Sequence, residues 1–525
     1  MSVSLRDHLD VLARHGDLLT VDAPVDLRYV SAVIARSPRA VLFNRLADYD
    51  LRAVGGVLST RDRLAWAFGM PYPEICHRVQ KGMDAPVEPA LVADAPVRQV
   101  VRRGEEVDLT VLPIIVFNET DGGPFISSGV TVARDPELGF NAGFYRMMLR
   151  NRQTLSIAPG YRTSLAEFYR RAMARGEPLE VSVSIGTHPI DSMAAATFLP
   201  LGRSELHLAG GMRGRPLELS PGVTVGVPAL AHAEIVIEGV MPPVGWTVQE
   251  GKFPEFHGYV TGVLHNPILE VRAVTHRRDA MLHSLQMPME DLWITGPPLE
   301  ANAWQALRRA GITARAVYAT PGGCCAFHVV AAIEGPPGAG RRALESLLEV
   351  GIVKHAIVTD ADIDVYESEQ VEWAIATRFQ ADRDLVVLTR RPGKGIDPSI
   401  MIWEEGRPLT AKIGLDATLG ADVPRSRYER IVYPYHHDPV VETILRDGPV
   451  PVPVDAATQE GAGVRVEAQL RGGSRYFVEV LRALPDVPYR AVAATVARLD
   501  EEGRLDRDGE GRLRMRGTPE EVLRS

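Results

Sequence analysis

Apolar residues recur at three or four positions over 4–16, where Leu5, Leu9, Leu12 and Ala13 share a face and Gly16 fits the stop. That period predicts a helix. LLTVDAP (18–24), AVLFNRL (40–46) and RAVGGVL (52–58) read as short strands, with a helix over Arg28–Arg36 among them. We place a first α/β domain at 1–105.

From Val97 to Val274 strands dominate: VTVARD, AGFYRMML, EVSVSIG, HAEIVIEG and ILEVRAVTH, joined by Gly/Pro-rich connections. Helices over Ser164–Ala174 and Ser192–Thr197 interrupt them. Many strands of uneven spacing predict an antiparallel, barrel-like sheet in a domain at 106–294. In AEIVIEG, Glu234, Val236 and Glu238 share one face, expected to be polar and solvated, and Ile235 and Ile237 the other. Beyond 295 helices and strands alternate: Leu299–Ala310, ARAVYAT, FHVVAAI, Arg341–Glu349, HAIVTDADIDV, Ser368–Thr377 and DLVVLTR. This βαβ rhythm predicts an α/β domain at 295–450. The tail, 451–525, opens with a linker-like run, VPVPVDAATQEGAGV. A helix over Tyr489–Glu502 and a hairpin around Asp508–Gly511 follow, an order similar to a winged-helix element.

The length of 525 residues suits about three domains. A net charge of −9 argues against general nucleic-acid binding, so the tail suits packing or protein interaction better than DNA. No run approaches the ~18 apolar residues of a membrane span. The start, MSVSLRDHLDVLARHG, has no signal-peptide core. A soluble, cytoplasmic protein is expected. Cys76, Cys324 and Cys325 form neither a disulfide framework nor a CxxC pair, and are expected as small core or loop residues. There is no internal repeat, GxGxxG after a strand, Walker loop, GxSxG or HExxH.

The candidate chemistry centres on GFNAGFYR (139–146). An Asp-Pro turn before it predicts a hairpin. Along its second strand Asn141, Gly143 and Tyr145 would share one face, and Ala142, Phe144 and Arg146 the other. An arginine alternating with apolar residues needs a partner, either a structural salt bridge or a bound anion. Glu250 and Glu255 flank Gly-Lys-Phe-Pro, a turn-forming run that lets two carboxylates converge. Near an arginine, one carboxyl can stay ionised while the other keeps a proton, which suits a general acid. With 67 acidic residues, such a pair carries little weight by itself. Asp360, Asp362 and Asp364 alternate at a strand end. They suit a hard cation, or more simply charges offset by basic neighbours.

Taken together, GFNAGFYRMML, SELHLAGGMRG, AEIVIEG, EGKFPEFHGY, VRAVTHRRDAMLHS, TDADIDV…VEWAIATRFQADRDLVV and KIGLDAT occur in an order that resembles the UbiD family of decarboxylases. The likeness extends from the N-terminal helix to about residue 440. It implies an α/β multi-domain fold with an N-terminal α/β domain, a central split β-barrel that binds prenylated FMN and a C-terminal α/β dimerisation domain. It also implies reversible non-oxidative decarboxylation of an aromatic or α,β-unsaturated carboxylic acid. Arg146 would hold the substrate carboxylate, Glu250 would hold Arg146, and Glu255 would deliver the proton.

The family anchors the flavin phosphate through a divalent metal, often manganese, with potassium nearby. Asn141 and Glu205 match two of its ligands. The usual histidine is absent from RQTLSIAPGYRTSLAEF (152–168), where Tyr161 or Arg162 stands about in its place. Arg162 is expected to bind the phosphate directly, and His207 to pack or face solvent. The likeness further implies a homodimer or larger homo-oligomer and a flavin prenyltransferase as cofactor supplier. An ordinary FMN reductase and a non-catalytic flavin-binding protein are the alternatives. Neither has an evident need for Arg146 together with Glu255. Met147, Phe253 and residues 320–328 are candidates for the substrate pocket.

Overall fold

A computed structural model describes residues 3–336, 338–420, 423–448 and 461–517. The chain divides into two compact units at Val423/Pro424. The first helix, Leu5–Arg14, starts from a capping box in which Ser4 and Asp7 satisfy each other's backbone N–H groups. Beside it lies a four-stranded sheet in the order Leu18–Val21, Ala40–Phe43, Arg52–Gly55, Met281–His283. The fourth strand comes from far along the chain, so the N-terminal sheet is completed by the central segment.

The central sheet has nine strands. Its path is Phe125–Ile126, Met147–Asn151, Thr154–Ile157, Ile268–His276, Ile235–Met241, Leu179–Ile185, Val130–Asp135, Gly139–Phe144, with Val100–Arg103 also pairing to Ile268–His276. All its pairings are antiparallel, as predicted. No pairing joins its two ends among the described residues. Val181, Ile237 and Leu269 pack with Phe168 and Tyr169 of the helix Ser164–Arg175 on one face. Val130, Val132, Ala142 and Val236 pack under a helical layer on the other.

That second layer corrects the expectation for Glu234 and Glu238. Instead of facing solvent, they are 0% and 2% exposed. Glu234 pairs with Arg6 and Arg277. Glu238 accepts the backbone N–H groups of Val223 and Thr224. Buried charge persists here because each carboxylate is fully engaged.

The predicted hairpin forms, with Val132 opposite Ala142. The alternation predicted to reach Arg146 stops at Phe144. Tyr145 and Arg146 instead cross to Met147–Asn151, which pairs with other strands. Gly143 permits the break, because a Cβ there would stand 2.9 Å from the Tyr145 hydroxyl.

A helix not predicted from the sequence, Glu205–Arg213, occupies SELHLAGGMRG. Its glycines, poor helix formers, masked the period but serve packing. A Cβ on Gly211 would lie 2.7 Å from the Ala85 carbonyl at the end of helix Tyr72–Asp84.

The next sheet runs Thr313–Ala319, His328–Glu334, His355–Asp360, Arg407–Ala417, Leu385–Pro392, with Ile402–Glu404 paired to Arg407–Ala417. Its three middle strands are parallel. Helix Glu290–Arg309 begins well before the predicted Leu299 and runs through Pro297 and Pro298. The aspartates of VTDADIDV do not continue a strand. Asp360 and Asp362 both pair with Arg378, and Asp364 accepts the Tyr366 N–H.

In the second unit, helices Ala462–Arg471, Phe477–Ala483 and Tyr489–Glu501 precede the hairpin Leu505–Arg507/Leu513–Met515. Val466, Val480, Val492, Leu499 and Leu513 form its core. A bridge from Arg475 to Leu513 completes a winged-helix order. The hairpin arginines are offset internally: Arg504 by Glu467, Arg507 by Asp500, Arg512 by Asp508 and Arg514 by Asp506. Most of the expected linker falls outside the described residues. No described helix is long and apolar enough to cross a membrane.

Candidate active site

Arg146, Glu250 and Glu255 come together as one cluster. Arg146 Nε donates to Glu250 Oε1 at 2.8 Å, and Nη1 donates to Glu255 Oε1. Nη2 is buried and has no partner. The guanidinium stacks on Phe253, with Cζ 5.2 Å from the ring centroid. The arginine thus makes the ion pairs that its spacing called for, and one of its nitrogens keeps no partner.

Glu250 ends the short strand Val248–Glu250, paired to Leu264–Asn266. It is 0% exposed, and the Ser156 hydroxyl donates to its second oxygen at 2.8 Å. Glu255 sits on a turn. Its N–H donates to the Tyr259 carbonyl at 3.0 Å, and Pro254 bridges to Val260. Burial pushes the Glu255 carboxyl above its ordinary range, Arg146 opposes this, and Glu250 adds to it. The pair therefore combines a carboxylate tied to the cation with a carboxyl inclined to keep a proton.

Asn141 and Glu205 also meet. Glu205 opens its helix, whose N-cap Ser204 accepts the Leu206 N–H at 3.3 Å. Its Oε2 accepts from Asn141 Nδ2 at 3.0 Å and from the Ala142 N–H at 2.8 Å. The Tyr145 hydroxyl donates to Asn141 Oδ1 at 3.2 Å. Burial pushes the Glu205 carboxyl up to about 7. Among the described residues no group of three or more His, Cys, Asp or Glu could hold a metal. His207 is half-buried and lines a crevice with Phe140, Arg203 and Ser204.

Arg162 is exposed just before helix Ser164–Arg175, and its Nη2 donates to the Gly406 carbonyl at 3.4 Å. Lys394 lies near it, over the Phe198 ring at 4.9 Å. Burial, and then the charge of Arg162, lower the Lys394 pKa. A cleft of about 950 Å³ opens here, lined by Arg162, Arg390, Glu404 and Arg407 among others. Sequence reasoning missed Ser156, Tyr145 and Lys394. Ser156 and Tyr145 sit in apolar runs, and Lys394 in a Gly/Pro-rich one, where no period marks them.

Models of the 3-octaprenyl-4-hydroxybenzoate carboxy-lyase N-terminal, Rift-related and C-terminal domains match residues 9–83, 90–289 and 292–417. The chain belongs to the UbiD family. Anhydromevalonate phosphate decarboxylase of Methanothermobacter thermautotrophicus is 32% identical over 424 residues, covering 79% of this chain and 96% of that protein. Gallate decarboxylase of Lactiplantibacillus plantarum is 30% identical over 429 residues, covering 74% and 86%. The UbiD-class enzyme HmfF from Pelotomaculum thermopropionicum, solved in complex with FMN, superposes with a TM-score of 0.78 at 33% identity, covering 83% of this chain and 98% of HmfF. The family models end before the second unit, which adds the winged-helix order to the UbiD core.

Proposed function

We propose that this UbiD-family protein catalyses the reversible, non-oxidative decarboxylation of an aromatic or α,β-unsaturated carboxylic acid on prenylated FMN. One observation carries the reading: a single guanidinium is shared by two carboxyls and keeps a buried, unpartnered Nη2. A buried donor without a partner is costly, and an incoming anion would satisfy it. Relatives that act on acids as different as gallate and anhydromevalonate phosphate have the carboxyl group in common.

When bound, the prenylated flavin supplies the electron sink for the carbon left by carbon dioxide. The chain's own residues do the rest. Arg146 Nη2 receives the substrate carboxylate, the group that an always-charged, forked side chain binds best. Glu250, held by Ser156, fixes the guanidinium plane. Glu255 releases its proton to the carbon vacated by carbon dioxide and, in carboxylation, takes one back.

Arg162 and Lys394 hold the flavin phosphate in this reading. Two cations kept close with burial acting against one of them favour an anion between them. Asn141 and Glu205 would be the protein ligands of manganese, with potassium nearby. One amide and one carboxylate already bonded to each other do not make a metal centre, so no step depends on either ion. A flavin prenyltransferase would supply the cofactor, and the protein would act as a homodimer or larger homo-oligomer. The deciding test is Glu255→Gln in enzyme co-expressed with that transferase. Turnover is expected to vanish while absorbance and native mass still show prenylated FMN. Full activity would remove the proton-donor role.

A further inference from the structure

Beside the charge cluster a second buried atom lacks a partner: Asp121 Oδ1. Its companion, Oδ2, accepts the N–H groups of Phe117 at 2.8 Å and Asn118 at 3.0 Å. The carboxyl is thus held in one orientation with Oδ1 left over. Asp121 and Lys252 meet in a backbone β-bridge, in which the Gly122 N–H donates to the Lys252 carbonyl at 3.3 Å. A Cβ on Gly122 would stand 2.3 Å from Gly251 Cα, and one on Gly251 2.1 Å from Gly122 Cα. The two backbones touch, so Asp121 is anchored directly beside the residue that follows Glu250. Phe117 packs edge-on against Phe253, the ring under Arg146, with centroids 5.8 Å apart.

Arg146 lies close enough to act on the Asp121 carboxyl, yet each keeps a buried atom unbonded. An ionised Asp121 near an empty Nη2 would be drawn to it. An incoming carboxylate satisfies Nη2 but would meet repulsion from a charged Oδ1. A proton on Oδ1 removes this conflict and turns the orphan acceptor into a donor. We propose that Asp121, carrying its proton on Oδ1, is a second donor to the substrate carboxylate beside Arg146 Nη2. This rests on the decarboxylase reading of the same site.

The surroundings favour the neutral form. Burial raises the Asp121 carboxyl and outweighs the Asn118 and Phe117 N–H groups and the charge of Arg146, which oppose it. The other charged groups nearby are Glu250 and Glu255, with the exposed Lys252 and Glu119 side chains on the two flanking loops. A bound carboxylate adds negative charge and raises Asp121 further. Affinity for carboxylates should therefore be highest at low pH and fall as Asp121 ionises.

The test uses flavin-loaded Glu255→Gln enzyme, which removes the other titrating acid. Benzoate and crotonate serve as aromatic and unsaturated aliphatic probes, with binding read from flavin fluorescence between pH 5.5 and 8.5. Affinity is expected to fall at least about tenfold over that range, the change for a single lost proton across one unit. Adding Asp121→Asn should flatten the profile, because the amide still accepts the two backbone N–H groups and donates at every pH. Adding Asp121→Ser, which can cap the turn but not reach the ligand, should weaken binding about tenfold at pH 6, the loss of one charge-assisted hydrogen bond. If the serine variant does not fold, the profile of the asparagine variant alone decides. An unchanged pH profile in Asp121→Asn overturns the assignment. Binding that needs Arg146 but ignores Asp121 leaves the decarboxylase reading standing and removes only this inference. No carboxylate binding at all removes both.

Discussion

Glu250 accepts Arg146 Nε at 2.8 Å through one oxygen and the Ser156 hydroxyl at 2.8 Å through the other. A fully buried carboxylate with both oxygens engaged is a rigid support. It fixes the guanidinium plane and leaves Nη2 without a partner.

Replacing Glu250 with Gln should therefore damage more than charge. The buried cation loses one of its two carboxyl partners, and breaking a buried pair costs about 3–5 kcal/mol. Arg146 would turn toward Glu255, and kcat/KM should fall about 100-fold or more while flavin occupancy holds. Steady-state kinetics and a thermal melt check both parts. Near-normal turnover in a destabilised protein would show that Glu250 serves the fold alone.

The pH dependence of decarboxylation follows from Glu255. Its folded pKa is raised chiefly by burial, so the proton is present on the acid side and lost as pH rises through the folded value. The rate should be flat at low pH and decline on the alkaline limb. A pH–rate profile in solvent water and heavy water locates that limb. Activity that rises with pH instead would contradict a protonated Glu255 at the start of the step.

Flavin retention should depend on the Arg162–Lys394 pair. Arg162→Ala and Lys394→Ala should each lower occupancy severalfold, and the double variant should lower it most, since each loses one charge-assisted bond to the phosphate. Dialysis against a chelator should change occupancy much less. Occupancy that collapses with the chelator but ignores both substitutions would place the phosphate on a metal at Asn141 and Glu205.

Glu300 offers a separate stability test. It is fully buried, accepts the Tyr72 hydroxyl at 3.0 Å and the Ala319 N–H at 3.1 Å, and burial pushes its carboxyl up from 4.5 to about 8. The folded state binds this proton more tightly than the unfolded chain. Its contribution to stability is complete below about pH 4.5 and is lost as pH rises toward 8. Glu300→Gln keeps an acceptor and cannot ionise. Its melting temperature should match the parent at pH 5 and exceed it at pH 9. Parallel curves at both pH values would rule this out.

Much of the fold was legible along the chain. Leu5, Leu9 and Leu12 announced the first helix, the turn before Gly139 announced the hairpin, and the βαβ rhythm announced the later sheet. The order of motifs carries the UbiD likeness without any tertiary contact. These features are local, written in the period of apolar residues and in turn chemistry. The misses have physical causes. Glu234 and Glu238 alternate like solvent-facing residues, but a helical layer covers them. Glu205–Arg213 hides its period behind glycines that the neighbouring helix requires.

The sequence by itself determined which groups are available: Arg146, two glutamates and a turn between them. Only the tertiary structure decided how they act. Arg146 and Glu250 are 104 residues apart and meet because Arg146, between two strands of the central sheet, lies beside the end of the strand Val248–Glu250. Burial at that meeting point raises Glu255, leaves Nη2 without a partner, and places Asp121 beside it through two touching glycines. Desolvation belongs to packing between distant segments, and no local pattern of residues records it.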